Sequence, residues 1–165
     1  MVLRINLFGD FSVCDGDGDM IEGFGRKSIS LMCLLAAGKG LKTTRAKAAG
    51  LIWSDRREEQ ARASLRQELA QLRRLCGADA IAADKQSIWL VAEQVSIDVQ
   101  DFREALGKGT SQAFEVAGEI YKGALLDGHQ SKSDGFEDWI EAERRILDND
   151  AFDAMVRLVQ SKLEK

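Results

Sequence analysis

The spacing of apolar residues changes along the chain and predicts strands first, then helices. Residues 2–14 alternate apolar and polar positions around Gly9-Asp10, which is typical of two short antiparallel strands. The acidic turn DGDGD follows, and MIEG (20–23) is expected to add a third strand or an edge to this small sheet. From Arg26 onward the apolar residues recur at helical spacing instead.

Three helices are predicted between Arg26 and Gly77. The first contains the apolar run LMCLLAA and ends at the glycines of GKG. Thr43 or Thr44 can cap the second helix, because a threonine hydroxyl accepts a hydrogen bond from a free N–H of the first turn. The third helix contains ARASLRQELAQLRR (61–74) and ends at Gly77.

A hairpin and a purely helical region complete the pattern. AIAADKQSIWLV has two apolar runs around Lys85-Gln86, which predicts a β-hairpin. Strands, three helices and a hairpin, in that order, are typical of a winged helix-turn-helix. We therefore predict an α+β fold in which residues 1–98 form a winged helix with a small N-terminal antiparallel sheet. Residues 99–165 then form an all-α domain of paired helices.

The third helix carries an apolar stripe beside a row of arginines. On a helical wheel Ala61, Leu65, Leu69, Leu72 and Cys76 share one face, which we predict to be buried. Three arginines, Arg62, Arg66 and Arg73, lie beside this stripe. Arg66 and Arg73 have no acidic residue three or four positions away, so local ion pairs do not account for them.

Three interpretations of this helix are open. Its arginines belong to a solvated face and pair with acidic residues elsewhere in the fold, or the helix is part of a coiled coil, or the arginines form a surface for an anionic partner. The leucine stripe lasts only about two heptads, which disfavours the coiled coil. Its position after a short capped helix and before a hairpin favours the recognition helix of a winged helix-turn-helix.

Charge is distributed unevenly, although the whole chain has a net charge of −4. Residues 1–25 carry −4, residues 26–75 carry +8, and residues 76–165 carry −8. The basic middle segment favours double-stranded DNA as partner. The alternative is a protein-interaction module, a degenerate winged helix whose basic face docks an acidic partner or the acidic half of the chain itself.

On the DNA interpretation, arginines of the third helix contact guanine edges or phosphates, and Gln67 contacts adenine. Residues at the start of the second helix hold phosphates, and Lys85 reaches DNA from the hairpin. The predicted DNA-contacting residues are Thr44, Arg45, Lys47, Arg62, Ser64, Arg66, Gln67, Arg73, Arg74 and Lys85.

No catalytic, cofactor or metal motif is evident, and we predict a protein that is not an enzyme. The single histidine, His129, is expected to be a surface residue of a loop, and the three cysteines are expected to be small core residues. No apolar run is long enough to span a bilayer, and the N-terminus lacks the features of a secretory signal. We therefore expect a cytoplasmic protein without a membrane partner.

Several segments, taken in order, resemble one family of bacterial regulators. They are GRKSISLMCLLAAGKGLKTTRAKAAGLIWSD, ARASLRQELAQLRRLCG, VSIDVQDF, YKGALLDG and FEDWIEAERRIL. The set is similar to the antibiotic regulatory protein (SARP) type of transcriptional regulator. That family joins an OmpR-type winged helix to a helical bacterial transcriptional activation domain (BTAD) related to tetratricopeptide repeats (TPR).

The resemblance implies an activator that binds short, directly repeated promoter sites, self-associates on tandem sites and contacts RNA polymerase. It gives ARASLRQ the groove-reading role and assigns packing roles to Tyr121 and Trp139. Ser54 replaces a proline usual in the family, which predicts a looser turn before the third helix. The hairpin lacks the glycine usual before its second strand, which predicts weaker wing contacts. The family's activation domain is about twice as long as residues 99–165, so the chain is expected to be part of a longer regulator.

Overall fold

The computed structural model describes residues 2–164 and has a mixed α/β fold. The elements in chain order are β1 (Leu3–Asn6), β2 (Ser12–Cys14), α1 (Arg26–Ala36), β3 (Lys42–Thr44), α2 (Arg45–Ile52), α3 (Glu58–Cys76), β4 (Ile81–Ala83), β5 (Ser87–Leu90), β6 (Val95–Ile97), α4 (Asp98–Lys108), α5 (Ser111–Ile120) and α6 (Asp134–Leu163). Within the described residues, no helix is both long and apolar enough to cross a bilayer.

The N-terminal sheet is mixed, not purely antiparallel. β1 pairs antiparallel with β2, as predicted, but its other neighbour is β6, which runs parallel to it and places Leu3 opposite Val95. The prediction of a third strand at residues 20–23 is wrong, because Met20 makes only an isolated bridge to Cys14. The third strand of this sheet is β6, which directly precedes α4. Its pairing with β1 therefore joins the beginning of the chain to the helical region.

The predicted hairpin is confirmed as β4 and β5, and it belongs to a second three-stranded sheet. β5 is the central strand, with β4 on one side and β3 on the other, both antiparallel. Ile88 in β5 faces Thr43 of β3 and Ala83 of β4 and is fully buried. Because β3 leads directly into α2, this sheet fixes where α2 begins relative to the hairpin.

One continuous hydrophobic core connects both halves of the chain. The apolar stripe predicted on α3 is confirmed, since all five of its residues are buried against this core. Phe102 of α4 is fully buried and packs against Phe8, whose ring centroid lies 5.2 Å away. Tyr121 and Trp139 are partly buried and pack against the same core, consistent with the packing roles that the resemblance implies.

The beginning of α6 is hydrogen-bonded to the turn that follows α2. The backbone N–H of Ser54 donates to Ser133 Oγ at 3.3 Å, and the two serine hydroxyls lie 2.8 Å apart. Ser133 Oγ also donates to the carbonyl of Leu51, and Gly135 N donates to Ser54 Oγ. The expectation of a looser turn is therefore wrong: a proline at Ser54 has no N–H to donate, whereas serine joins this turn to α6.

His129 is half-buried, which corrects the expectation of a surface residue. Its Nε2 lies 3.0 Å from Ser30 Oγ of α1, and its ring packs edge-on against Phe136. Burial lowers the pKa of His129, opposed by the nearby carboxylate of Glu137. The loop between α5 and α6 is therefore attached to α1 through this side chain.

Candidate nucleic-acid interface

Four cationic side chains from three elements converge on one shallow cleft. Arg45 of α2, Arg62 and Arg66 of α3, and Lys85 at the hairpin tip line a cavity of about 220 Å³ with Leu65 at its side. They come from three separate segments of the sequence, and the fold brings them together. We call this group the basic cleft.

Hydrogen bonds between α2 and the hairpin tip position one side of the basic cleft. The backbone N–H of Arg45 donates to the carbonyl of Gln86 at 2.8 Å. Its side-chain Nε donates to the carbonyl of Asp84, also at 2.8 Å. The start of α2 and the hairpin therefore form one unit, and Lys85 is held beside Arg45.

The hairpin tip is closed by the side chain of Asp84. Asp84 Oδ1 accepts hydrogen bonds from the backbone N–H groups of Gln86 at 2.8 Å and Ser87 at 2.7 Å. These bonds lower the pKa of Asp84. An aspartate commonly closes a turn by accepting such bonds from its own backbone. The missing glycine therefore does not prevent a hydrogen-bonded tip.

The two arginines of α3 in the basic cleft differ in their partners. Arg62 forms a salt bridge with Glu58 at 3.2 Å, one turn earlier on the same helix. Both side chains are largely exposed, so the pair contributes little to stability, about 0.2 to 1 kcal/mol. Arg66 is exposed and forms no salt bridge or side-chain hydrogen bond within residues 2–164. Its full set of guanidinium donors faces solvent.

The predicted phosphate contacts at the start of α2 lie near the basic cleft. Thr44 caps α2 by accepting a hydrogen bond from the N–H of Lys47 at 3.0 Å. This confirms the predicted capping role and leaves the hydroxyl proton of Thr44 able to donate to an anion. Lys47 is exposed one turn into the helix.

Arg56 belongs to this surface and was not among the predicted residues. Its Nη1 donates to Ser64 Oγ at 2.8 Å, so the hydroxyl of Ser64 already has a protein partner. Gln67 is exposed on the same helix. The basic pair Arg56-Arg57 directly before α3 could have indicated this residue in the sequence. Residues at the N-terminus of a helix that enters a DNA groove lie close to the phosphates.

Arg73 and Arg74 do not line the basic cleft. Arg73 Nε donates to the carbonyl of Ile81 in β4 at 3.3 Å, and its side chain is partly buried. Arg74 donates twice to Gln71 Oε1, at 2.6 and 3.1 Å. The row of arginines seen on the helical wheel therefore separates into a cleft-facing pair and a residue that connects α3 to the hairpin.

The cations of the basic cleft form few salt bridges. Within residues 2–164 the only salt bridge made by its four cations is the pair between Arg62 and Glu58. The hairpin, which belongs to the acidic segment 76–165, contacts the cleft through the carbonyl of Asp84, but no carboxylate of that segment forms a salt bridge with these cations among the described residues.

Comparison with known proteins gives a fold relative but no sequence family. No protein-family model matches the chain, and no curated protein matches its sequence. The structure is similar to a solved structure of Mycobacterium tuberculosis EmbR in complex with a low affinity phosphopeptide, with a TM-score of 0.76 and 18% identity. The match covers 98% of this chain and 45% of that chain, so the chain spans less than half the length of EmbR. At this identity the similarity shows a shared fold.

Proposed function

We propose that this protein is a DNA-binding transcription regulator of the SARP type, in which α2, α3 and the β4–β5 hairpin act as a winged helix-turn-helix. The convergence of Arg45, Arg62, Arg66 and Lys85 carries the proposal. The fold shared with EmbR, over 98% of this chain, also supports the proposal.

In this proposal α3 enters the major groove with Arg66 as the main base-contacting residue. Arg66 is exposed and has no protein partner, so contact with a base breaks no existing bond. A guanidinium can donate two parallel hydrogen bonds to guanine O6 and N7. Arg62 contributes to phosphate or base contacts after release from Glu58, an exposed pair that costs little to break.

The phosphate contacts come from Thr44, Arg45 and Lys47 at the start of α2 and from Lys85 on the hairpin. The positive end of the α2 dipole also favours an anion at this position. Gln67 is exposed on α3, whereas Ser64 is partly exposed and accepts a hydrogen bond from Arg56. Arg73 and Arg74 are assigned supporting roles, because their side chains are already bonded to the protein.

Activation through RNA polymerase, binding to direct repeats and self-association on tandem sites follow from the family resemblance. In this proposal residues 99–165 form part of a TPR-like activation domain. The exposed apolar side chains of α6 are consistent with contacts to further protein surface. They are Ile146, Phe152, Met155, Val156, Val159 and Leu163.

The test is a binding titration with the full chain and duplexes selected from a pool of promoter-length DNA. We expect affinity to fall steeply with salt, with about −0.9 in the log–log slope for each phosphate neutralised. Arg66→Ala should weaken binding to the selected duplex by about 1 to 3 kcal/mol and relax the sequence preference at one position.

Arg145→Ala is the matched control, because Arg145 is an exposed arginine on α6 and lies outside the basic cleft. It removes the same charge and should leave affinity nearly unchanged. Arg66→Lys separates charge from geometry, since lysine cannot make the two parallel bonds. Equal effects of Arg66→Ala and Arg145→Ala, or no salt-sensitive binding to any duplex, would refute the proposal and favour an acidic protein as partner.

A further inference from the structure

A second, larger cleft lies between the turn after α1, the start of α2 and the helices α4 and α6. Its volume is about 560 Å³, within the range of about 300 to 1,000 Å³ typical of small-molecule sites. Most of its charge comes from lysines of the segment GKGLKTTRAK. We call it the lysine cleft, and its polar and aromatic lining comprises Lys39, Lys42, Thr43, Lys47, Gln100, Arg103, Trp139 and Glu143.

The charge of the lysine cleft is strongly positive. Three lysines and Arg103 line it, and Glu143 is the one carboxylate among the lining residues. Glu143 is already paired with Arg103 at 3.5 Å, while Arg103 also donates to the carbonyl of Ala37 at 2.7 Å. The lysines form no salt bridge within the described residues. Lys42 lies over the ring of Trp89, with its Nζ 5.1 Å from the ring centroid, so Lys39 and Lys47 carry most of the uncompensated positive charge in the cleft.

Thr43 adds a polar group that is not satisfied by the protein. It is 8% exposed, and its hydroxyl has no hydrogen-bond partner among residues 2–164. Nearly all buried hydroxyl groups in proteins have a partner. The Oγ1 atom of Thr43 has almost no solvent-accessible surface, so a ligand in the lysine cleft would contact Thr43 through its other atoms.

The opposite side of the lysine cleft is apolar. Leu34, Ile146 and the half-buried ring of Trp139 line it. An inorganic anion is too small to contact both the lysines and this apolar side in a cavity of this volume. A ligand that uses both needs an anionic group at one end and a planar apolar ring at the other.

We propose that the lysine cleft binds a small phosphorylated molecule with a planar ring, of the class of a nucleoside monophosphate. The lysines hold the phosphate, as lysine does in other phosphate sites. The ring packs against Trp139 and Ile146. The site goes beyond DNA binding, and the cations of the basic cleft take no part in it.

The test is calorimetric titration of the full chain, without DNA and at about 150 mM salt, where long-range attraction between exposed charges is screened. The probes are the four common nucleoside monophosphates, adenosine and inorganic phosphate. We expect at least one monophosphate to saturate a single site, with a Kd below about 1 mM. Adenosine lacks the charge and inorganic phosphate lacks the ring, so both should bind at least about tenfold more weakly.

Two variants test the residues. Changing Lys39→Gln together with Lys42→Gln should lower the affinity for the monophosphate about tenfold or more. The exposed pair Lys108→Gln and Lys122→Gln is the matched control, because it removes the same charge outside the cleft. Lys47 is left unchanged in both variants, since it is also a predicted DNA contact.

Thr43→Val tests the buried hydroxyl beside the lysine cleft. Valine replaces the unpartnered hydroxyl with a methyl group, so the protein should gain thermal stability while its affinity for the monophosphate changes little. The proposal is overturned if no monophosphate binds saturably or if inorganic phosphate binds as tightly as the monophosphates. It is equally overturned if the variant with Lys39→Gln and Lys42→Gln binds like the control. Because no DNA is present, these results are independent of the proposed regulator function.

Discussion

Gly135→Ala tests how closely α6 packs against α2. Gly135 is the second residue of α6, and a Cβ at this position would lie 3.1 Å from the carbonyl oxygen of Leu51 and 3.1 Å from Ser54 Cβ. Both distances are shorter than ordinary van der Waals contacts between such atoms. The Leu51 oxygen belongs to the backbone of a helix, so it cannot move away as a flexible side chain could.

Two opposing effects determine the result of this substitution. Alanine in place of glycine stabilises a helix by about 0.5 to 1 kcal/mol. Overpacking of a close contact costs about 1 to 3 kcal/mol. The contact should dominate, because the neighbours include backbone atoms, and we expect a net loss of about 1 to 2 kcal/mol. For a chain of this length, each kcal/mol lowers Tm by roughly 2 to 4 °C.

The control is Gly118→Ala in α5, where a Cβ would meet nothing within 4 Å. Thermal unfolding followed by circular dichroism should show a lower Tm for Gly135→Ala and a higher Tm for Gly118→Ala. If both substitutions raise Tm by the same amount, α6 does not press against α2, and the reasoning about this contact is wrong.

Three further predictions concern single side chains. Burial lowers the pKa of His129, so the unfolded chain binds a proton more readily than the folded protein, and stability should fall as pH decreases below about 6.5. Thermal melts at pH 7 and pH 5 should show a smaller fall for His129→Gln. Burial raises the pKa of Cys76 to about 11 and raises that of Cys33 still further. A thiol reagent at pH 8 should therefore modify only the partly exposed Cys14 in the native protein, but all three cysteines in denaturant. Asp84→Ala removes both bonds that close the hairpin tip, so DNA affinity should decrease while Tm changes little; an unchanged affinity would exclude the tip from the interface.

Much of the fold could be predicted because its signals are local. The apolar stripe from Ala61 to Cys76 and the cap at Thr44 each depend on residues within a few positions of one another. The parallel strand β6 could not be predicted in this way. Its partner, β1, is more than ninety residues away, and three residues of VSI give no local indication of which strand they will join.

The candidate site shows the same division between local and distant information. The helical wheel placed Arg62, Arg66 and Arg73 on one side of the third helix, and α3 is helical over all three positions. Whether each side chain faces the cleft depends on where the hairpin lies, and Arg73 is drawn to the carbonyl of Ile81. Arg45 and Lys85, forty residues apart, were predicted in one interface, but the hydrogen bonds of Arg45 to the hairpin tip depend on tertiary packing and could not be predicted.

The parallel pairing of β1 with β6 also sets a time for folding during synthesis. β1 leaves the ribosome first, but Val95–Ile97 must be made before the edge of β1 that faces it is covered. At a synthesis rate of about 5 to 20 residues per second, that wait lasts roughly 5 to 18 s. During this interval Leu3 and Ile5, both buried in the finished fold, have β2 as their hydrogen-bonded neighbour in the sheet. The other edge of β1 is thus open to pairing with other strands until residue 97 has been made.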